Sequence, residues 1–247
     1  MFNILPKLRI WIALGLFCLS LSWSIPAQAD TSINSQLEQQ VLEIIRNHPQ
    51  VIIESVQKYQ QSQQQKVQES RQTFLQDFKT NTQAVIGESP TTGAKQLKTV
   101  LIEFSDFECP FCAQAQKTLK DLLEKYPNQL TLVYKHFPLS QIHQQALPAA
   151  KAAWAAHQQG KFWPYHDALF TNQKQLGETL YLDIAKKLKL NLTKFNRDRS
   201  LADTAIQKDI QLAEQLGLAG TPAFLINSKT VSGPVRLSDV AGILERE

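Results

Sequence analysis

The sequence predicts an α/β domain interrupted by a helical block and preceded by a helical arm. Three observations carry that prediction. Two strongly apolar segments, Leu97–Phe104 and Leu130–Phe137, bracket an amphipathic helix pattern from Phe111 to Tyr126. Two strands joined through one helix make a βαβ unit, which implies a parallel pair. The stretch from Ala146 to Leu216 is then almost wholly helical in pattern, before a further apolar strand pattern over 223–226. The boundaries that follow are 1–29 for a leader, 30–86 for the arm, 87–96 for a linker and 97–247 for the main domain. The helical insertion spans about 146–216.

Residues 1–29 have the order of a secretory signal peptide. Lys7 and Arg9 form the positive flank, Ile10–Trp23 the apolar run, and Ala27-Gln28-Ala29 a small-residue cleavage site before Asp30. That run is shorter than the roughly 20 residues a membrane span needs. Cys18 lies inside it after the bulky Phe17, which does not suit a lipoprotein processing site. Cleavage leaves two cysteines, Cys109 and Cys112, and points to an exported protein in the periplasm or an equivalent space. A structural disulfide framework there normally uses several bridges. The whole chain carries a net charge of +4, and removing Lys7 and Arg9 leaves +2. That balance, without a basic cluster interleaved with aromatics, points away from nucleic acid.

The arm contains no glycine. Leu37, Val41, Ile44 and Ile45 fall at helical spacing, and Pro49 suits the opening of a second helix carrying Val51, Ile52, Val56 and Tyr59. Gln60–Lys66 is nearly all glutamine, a good helix former, after which Val67, Phe74, Leu75 and Phe78 resume a sparse stripe. That stripe is too thin to be a core alone. It packs on the main domain or pairs with the arm of another copy in a homo-oligomer; a loosely ordered spacer is the plain alternative. Gly87–Gly93, with Pro90, reads as the linker.

The chemistry concentrates at Cys109-Pro110-Phe111-Cys112, a strand-to-helix turn. Pro110 suits the first helical position, which makes Cys109 the N-cap. Its sulfur is then expected to face the unpaired N–H groups of Phe111 and Cys112, where a thiolate gains hydrogen bonds and the positive helix end. Cys112 points back into the domain. Two cysteines at this spacing suit reversible thiol–disulfide chemistry, with Cys109 attacking and Cys112 resolving. A zinc site usually needs four ligands and no second cysteine pair exists, so no metal is expected. An inert staple this short gains little chain entropy. Glu103, six residues before Cys109, either lies buried and relays the Cys112 proton or lies at a solvated strand end. Asp106 and Glu108 are expected to cap the turn.

The remaining elements follow in order. Pro138 ends the second strand, and Lys135 and His136 near its end either lie near the cysteines or, as the plainer expectation, at the surface. The helical block divides into Ala149–Gln159, Phe162–Asn172, Thr179–Leu188 and Leu201–Leu216, with an aromatic core of its own from Trp154 to Phe170. His143, His157 and His166 have no metal-ligand spacing. Gly220-Thr221-Pro222 opens an apolar strand, where proline must stand at the start and is either cis by design or an ordinary trans residue. Val231 falls in a short strand, and Leu237–Glu247 closes the chain as a helix.

Cys109-Pro110-Phe111-Cys112 after a buried strand, Gly220-Thr221-Pro222 before another, and the helical block between them resemble the DsbA family of the thioredoxin superfamily. The likeness covers about residue 95 to the C-terminus. It implies a thioredoxin fold with an inserted helical domain, and a protein thiol–disulfide oxidoreductase that uses the Cys109–Cys112 pair as its redox centre without another cofactor. Pro222 matches the family's cis-proline and Glu103 its strand acid. Pro110, Phe111, Thr221 and Pro222 are implied as substrate-binding. The partners implied are exported thiol-containing proteins and a membrane or soluble redox partner. The arm resembles those of oligomeric, isomerase-like members. Phe111 stands where the best-known oxidase has histidine, and Thr221 is more typical of isomerase relatives, so the direction of exchange stays open among oxidase, isomerase and reductase. A non-catalytic peptide-binding or chaperone module is the remaining alternative.

Overall fold

The computed structural model describes residues 35–246; the leader at 1–29 and Cys18 lie outside them. The chain divides into two compact units, 1–58 and 59–247.

The described part of the first unit is helical. Helix α1 spans Ser35–Asn47, and α2 opens at Pro49 and continues to Thr80, through the glutamine-rich run. Leu37, Val41, Ile44, Ile45, Val51, Ile52, Ile53 and Val56 are all exposed.

The second unit is built on a mixed five-stranded sheet: β1 Thr91–Gly93, β2 Thr99–Ser105, β3 Leu130–His136, β4 Ala223–Asn227 and β5 Ser232–Pro234. The spatial order is β1-β3-β2-β4-β5. β2 and β3 run parallel, joined through α4 (Pro110–Lys125), while β1, β4 and β5 add antiparallel. Helix α3 (Thr82–Ile86) precedes β1, with Asn81 as its cap. The helical block comprises α5 Ala146–His157, α6 Phe162–Thr171, a 3-10 turn Gln173–Gln175, α7 Glu178–Lys187, α8 Leu192–Leu201 and α9 Asp203–Gln215. Helix α10 (Leu237–Leu244) closes the domain.

Strand alternation divides the packing. Val100, Ile102 and Phe104 meet Phe74, Phe78, Ala213 and Leu216 on one face. Leu101, with Leu130 and Leu132, faces α4 and α10 on the other, against Leu119, Leu122, Val240 and Ile243. Period two therefore sends Glu103 and Ser105 to the α4 side. Seven alanines buried along α5 bring the helical block close, around Phe162, Tyr165 and Phe195.

Several expectations are corrected. The linker at 87–96 contains β1, a short edge strand paired with β3 that no apolar run announces. Gly93 sits at φ +89°, where a Cβ would strike the Leu130 carbonyl oxygen. Helix α8, which no apolar periodicity announces, is mostly polar; Asn191 caps it by accepting from the Lys194 N–H at 2.9 Å. Phe111, which opens the amphipathic pattern of α4, is 65% exposed. Lys135 and His136 are buried, because α9 and the helical block cover the end of β3.

Candidate active site

Cys109 is the N-cap of α4 and Pro110 its first residue, but the sulfur makes no capping hydrogen bond. The Cys109 thiol instead donates to the Thr221 carbonyl oxygen at 3.3 Å. Thr221–Pro222 is a cis peptide directly before β4, and the β2–β4 register aligns Phe104 with Ala223 and Glu103 with Phe224. Cys109 and the Thr221–Pro222 bond therefore meet at one end of the sheet, and Phe111, two residues beyond Cys109 in α4, is exposed. The structure holds both cysteines as thiols, Cys112 fully buried.

Burial governs the interior of the site. It drives the Cys112 thiol well above its ordinary range, while neighbouring polar groups, led by the Ser105 hydroxyl, act against that rise. Glu103 is 0% exposed, and burial raises its carboxyl to about 7, opposed in part by hydrogen bonding. Gln116 Nε2 donates to Glu103 Oε1 at 3.2 Å; Oε2 has no partner among the described residues. Glu103 is thus deep in the strand, not at a solvated end. The Ser105 hydroxyl opposes the upward shift of Cys112, Glu103 and Tyr134 alike.

The parallel register sets a second polar row beside the first. Glu103 aligns with Tyr134 and Ser105 with His136. Tyr134 stacks on Phe107 at 5.3 Å between centroids, and its hydroxyl lacks a partner among the described residues. Burial holds the His136 imidazole neutral, lowering it to about 3.

The turn 106–109 is pinned from two sides. Asp106 Oδ1 accepts the Glu108 N–H at 2.8 Å, and its Oδ2 meets the Leu139 N–H at 3.0 Å and His143 Nδ1 at 2.7 Å. Glu108 accepts the Gln145 N–H at 2.5 Å. From the helical block, Gln173 Nε2 donates to the carbonyls of Phe107 and Cys109, each at 2.9 Å. The two acids do more than cap the turn; they tie it to the loop after β3.

Sequence reasoning missed Ser105, Gln116, Tyr134 and Gln173, and it favoured the surface for His136. Ser105 was recoverable from period two and Gln116 from its i+4 spacing to Cys112. The others needed the register and the docking of the insertion. Among the described residues no group of three or more His, Cys, Asp or Glu side chains could hold a metal ion.

Residues 85–246, well over half the chain, match the family described as Thioredoxin. The chain belongs to the thioredoxin family. A thioredoxin-like oxidoreductase from Silicibacter pomeroyi DSS-3 shares 30% identity, with 67% of this chain and 96% of that one covered at a TM-score of 0.58. The thiol-disulfide exchange protein alpha-DsbA2 from Wolbachia pipientis, at 18% identity, covers 71% of this chain and 96% of its own with a TM-score of 0.59, which speaks to the fold. The fold is the DsbA-like form of the family. A Na(+)/H(+) antiporter NhaA 3 from Salinispora tropica is 36% identical over 149 residues, 59% of this chain. The chain spans 22% of that relative's length, and among the described residues no helix is long and apolar enough to cross a membrane.

Proposed function

We propose that this chain is an exported thiol–disulfide oxidoreductase that forms or reshuffles disulfides in secreted or periplasmic proteins. One observation carries the reading: the Cys109 sulfur lies at the α4 N-terminus against the Thr221 carbonyl, with Cys112 buried one turn further on. A substrate joined to Cys109 through a mixed disulfide has the backbone before Pro222 at hand, and Phe111 offers an apolar contact. Cys112, as thiolate, attacks the Cys109 sulfur; the Cys109–Cys112 bond forms, the substrate sulfur leaves with its electron pair, and the Cys112 proton passes to Glu103. In the oxidising direction the same atoms run backwards. No further cofactor enters either direction. A membrane or soluble redox partner resets the pair.

The proposal is tested with Cys112→Ser, which should accumulate mixed disulfides with exported thiol proteins through Cys109, and with Cys109→Ser, which should accumulate none. Adducts on neither variant would favour a passive cysteine pair in a peptide-binding module. Export predicts a mature N-terminus at Asp30, read by intact mass.

A second reading, isomerase, rests on the exposed apolar side chains of α1 and the first half of α2. Assembly through them would place several sites around one substrate, which favours repeated exchange over a single oxidation.

A further inference from the structure

The reactive turn leaves a gap in its own hydrogen bonding, and a side chain from the helical block fills it. The N–H groups of the turn are served locally. Glu108 N–H donates to Asp106 Oδ1 at 2.8 Å, and Cys109 N–H donates to the Asp106 carbonyl at 3.1 Å. The carbonyls are served differently. Pro110 stands three residues after Phe107 and has no N–H to close a turn on the Phe107 carbonyl. The Cys109 carbonyl receives one helical donor, the Ala113 N–H at 3.2 Å, with a second lone pair left over. Gln173 Nε2 donates to both oxygens, each at 2.9 Å, one hydrogen to each. An amide oxygen in that place would face two carbonyl oxygens, so the nitrogen is the atom that fits. The placement is braced on both sides. Asn172 caps α6 and its Nδ2 donates to the Ala168 carbonyl at 2.8 Å, which sets Gln173 at the start of the 3-10 turn. Three residues before Gln173, the Phe170 ring lies 5.0 Å from that of Phe107.

We propose that Gln173 is a positioning residue of the redox centre, and that its two donated hydrogens favour the dithiol form of the Cys109–Cys112 pair over the disulfide. The inference deepens the thiol–disulfide reading and rests on it. Exchange places negative charge on the Cys109 sulfur, because a thiolate is what attacks a disulfide and what leaves when a mixed disulfide is cleaved. The carbonyl of the same residue carries a partial negative charge on its oxygen, joined to that sulfur only through Cα and Cβ. The helix end opposes this repulsion in part. The sulfur takes no capping hydrogen bond and lies against a further carbonyl, that of Thr221, at 3.3 Å. Gln173 offsets the carbonyls at 107 and 109, and it holds Cys109 at φ −72° and ψ 121°. A disulfide sulfur is uncharged and gains no such relief. The helical block therefore reaches the nucleophile through its backbone.

The test equilibrates the protein with glutathione, where the protein dithiol and one glutathione disulfide give the protein disulfide and two glutathione thiols. Gln173→Leu keeps the bulk of the side chain and removes both donors. Its equilibrium constant should move about tenfold toward the protein disulfide at neutral pH, the scale of one lost hydrogen bond. Urea midpoints should agree, the reduced form losing more stability than the oxidised form. Gln173→Glu, of the parent shape but without a donor at neutral pH, should shift the constant the same way, and it serves if Gln173→Leu does not fold. Gln173→Lys, which returns N–H donors on a flexible stem, should bring the constant back to the parent value or beyond it toward the dithiol. Parental constants in the folded variants, with equal losses of stability in the two redox forms, would overturn the positioning role and leave Gln173 a structural tie. A shift of Gln173→Leu toward the dithiol would overturn the electrostatic argument. If the parent pair does not equilibrate with glutathione at all, it is the thiol–disulfide reading that fails.

Discussion

Lys135 Nζ and Asp209 Oδ1 sit 3.2 Å apart where β3 meets α9, with both side chains nearly out of solvent. The second oxygen of Asp209 accepts the His136 backbone N–H at 3.0 Å, so one carboxylate joins the helical block to the strand end. Burial raises the Asp209 carboxyl, and the Lys135 ammonium pulls the other way.

Removing one partner should therefore cost more than the pair itself contributes. Asp209→Ala leaves an ammonium and an N–H buried without a partner, and should lose about 3–5 kcal/mol. Replacing both, as Lys135→Met with Asp209→Leu, should recover the share owed to the stranded ammonium, the His136 N–H staying unpaired in either variant. Urea midpoints for the two variants check this, and equal losses in both would reject it.

Glu103 predicts a pH signature in the reduced protein. Its folded carboxyl titrates near 7, above the 4.5 of a free glutamate. The folded state then binds more protons than the unfolded chain between those values, so stability falls as pH rises through that window. The cost is absent below 4.5 and reaches about 3 kcal/mol above 7. Glu103→Gln should match the parent at pH 4 and exceed its stability at pH 8. A constant difference between the two at every pH would contradict this.

His136 has the opposite sign. Its folded imidazole titrates near 3 against 6.5 when free, because burial disfavours the charged ring. The unfolded chain binds the extra proton, so stability is full above 6.5 and drains as pH falls toward 3, by up to about 5 kcal/mol. His136→Phe, among the rings of Tyr134 and Phe162, should flatten this acid limb. Acid denaturation midpoints that coincide would argue against it.

The arm bears on the direction of exchange. Ten large apolar side chains between Leu37 and Tyr59 are exposed, far more than isolated surface residues explain. The mature chain should form a homo-oligomer by light scattering, and a chain beginning at Tyr59 should be monomeric. The shortened form should retain dithiol oxidation and lose repair of scrambled disulfides. A monomeric mature chain at micromolar concentration would favour the oxidase reading.

Local order along the chain was enough to locate much of this protein. Continuous apolar runs marked β2 and β3, and period 3.6 marked α4 and most of the helical block, because a buried strand and an amphipathic helix write their packing into adjacent residues. Pro110 between two cysteines set the N-cap, a purely local matter. Long-range packing settled what depends on residues distant in the chain. The Cys109 thiol turned to the Thr221 carbonyl across 112 residues rather than to its own helix end. Edge strand β1 took its form from β3, having no apolar pattern of its own. Helix α8 depended on a cap and on one buried aromatic, Phe195. Lys135 and His136 read as surface residues because their charge and polarity are local, while α9 and the helical block that cover them arrive far later in the chain. The same holds for Glu103: its position marked it as a strand residue near the thiols, but only the closing of α4 and β4 around it removed water and raised its carboxyl to about 7.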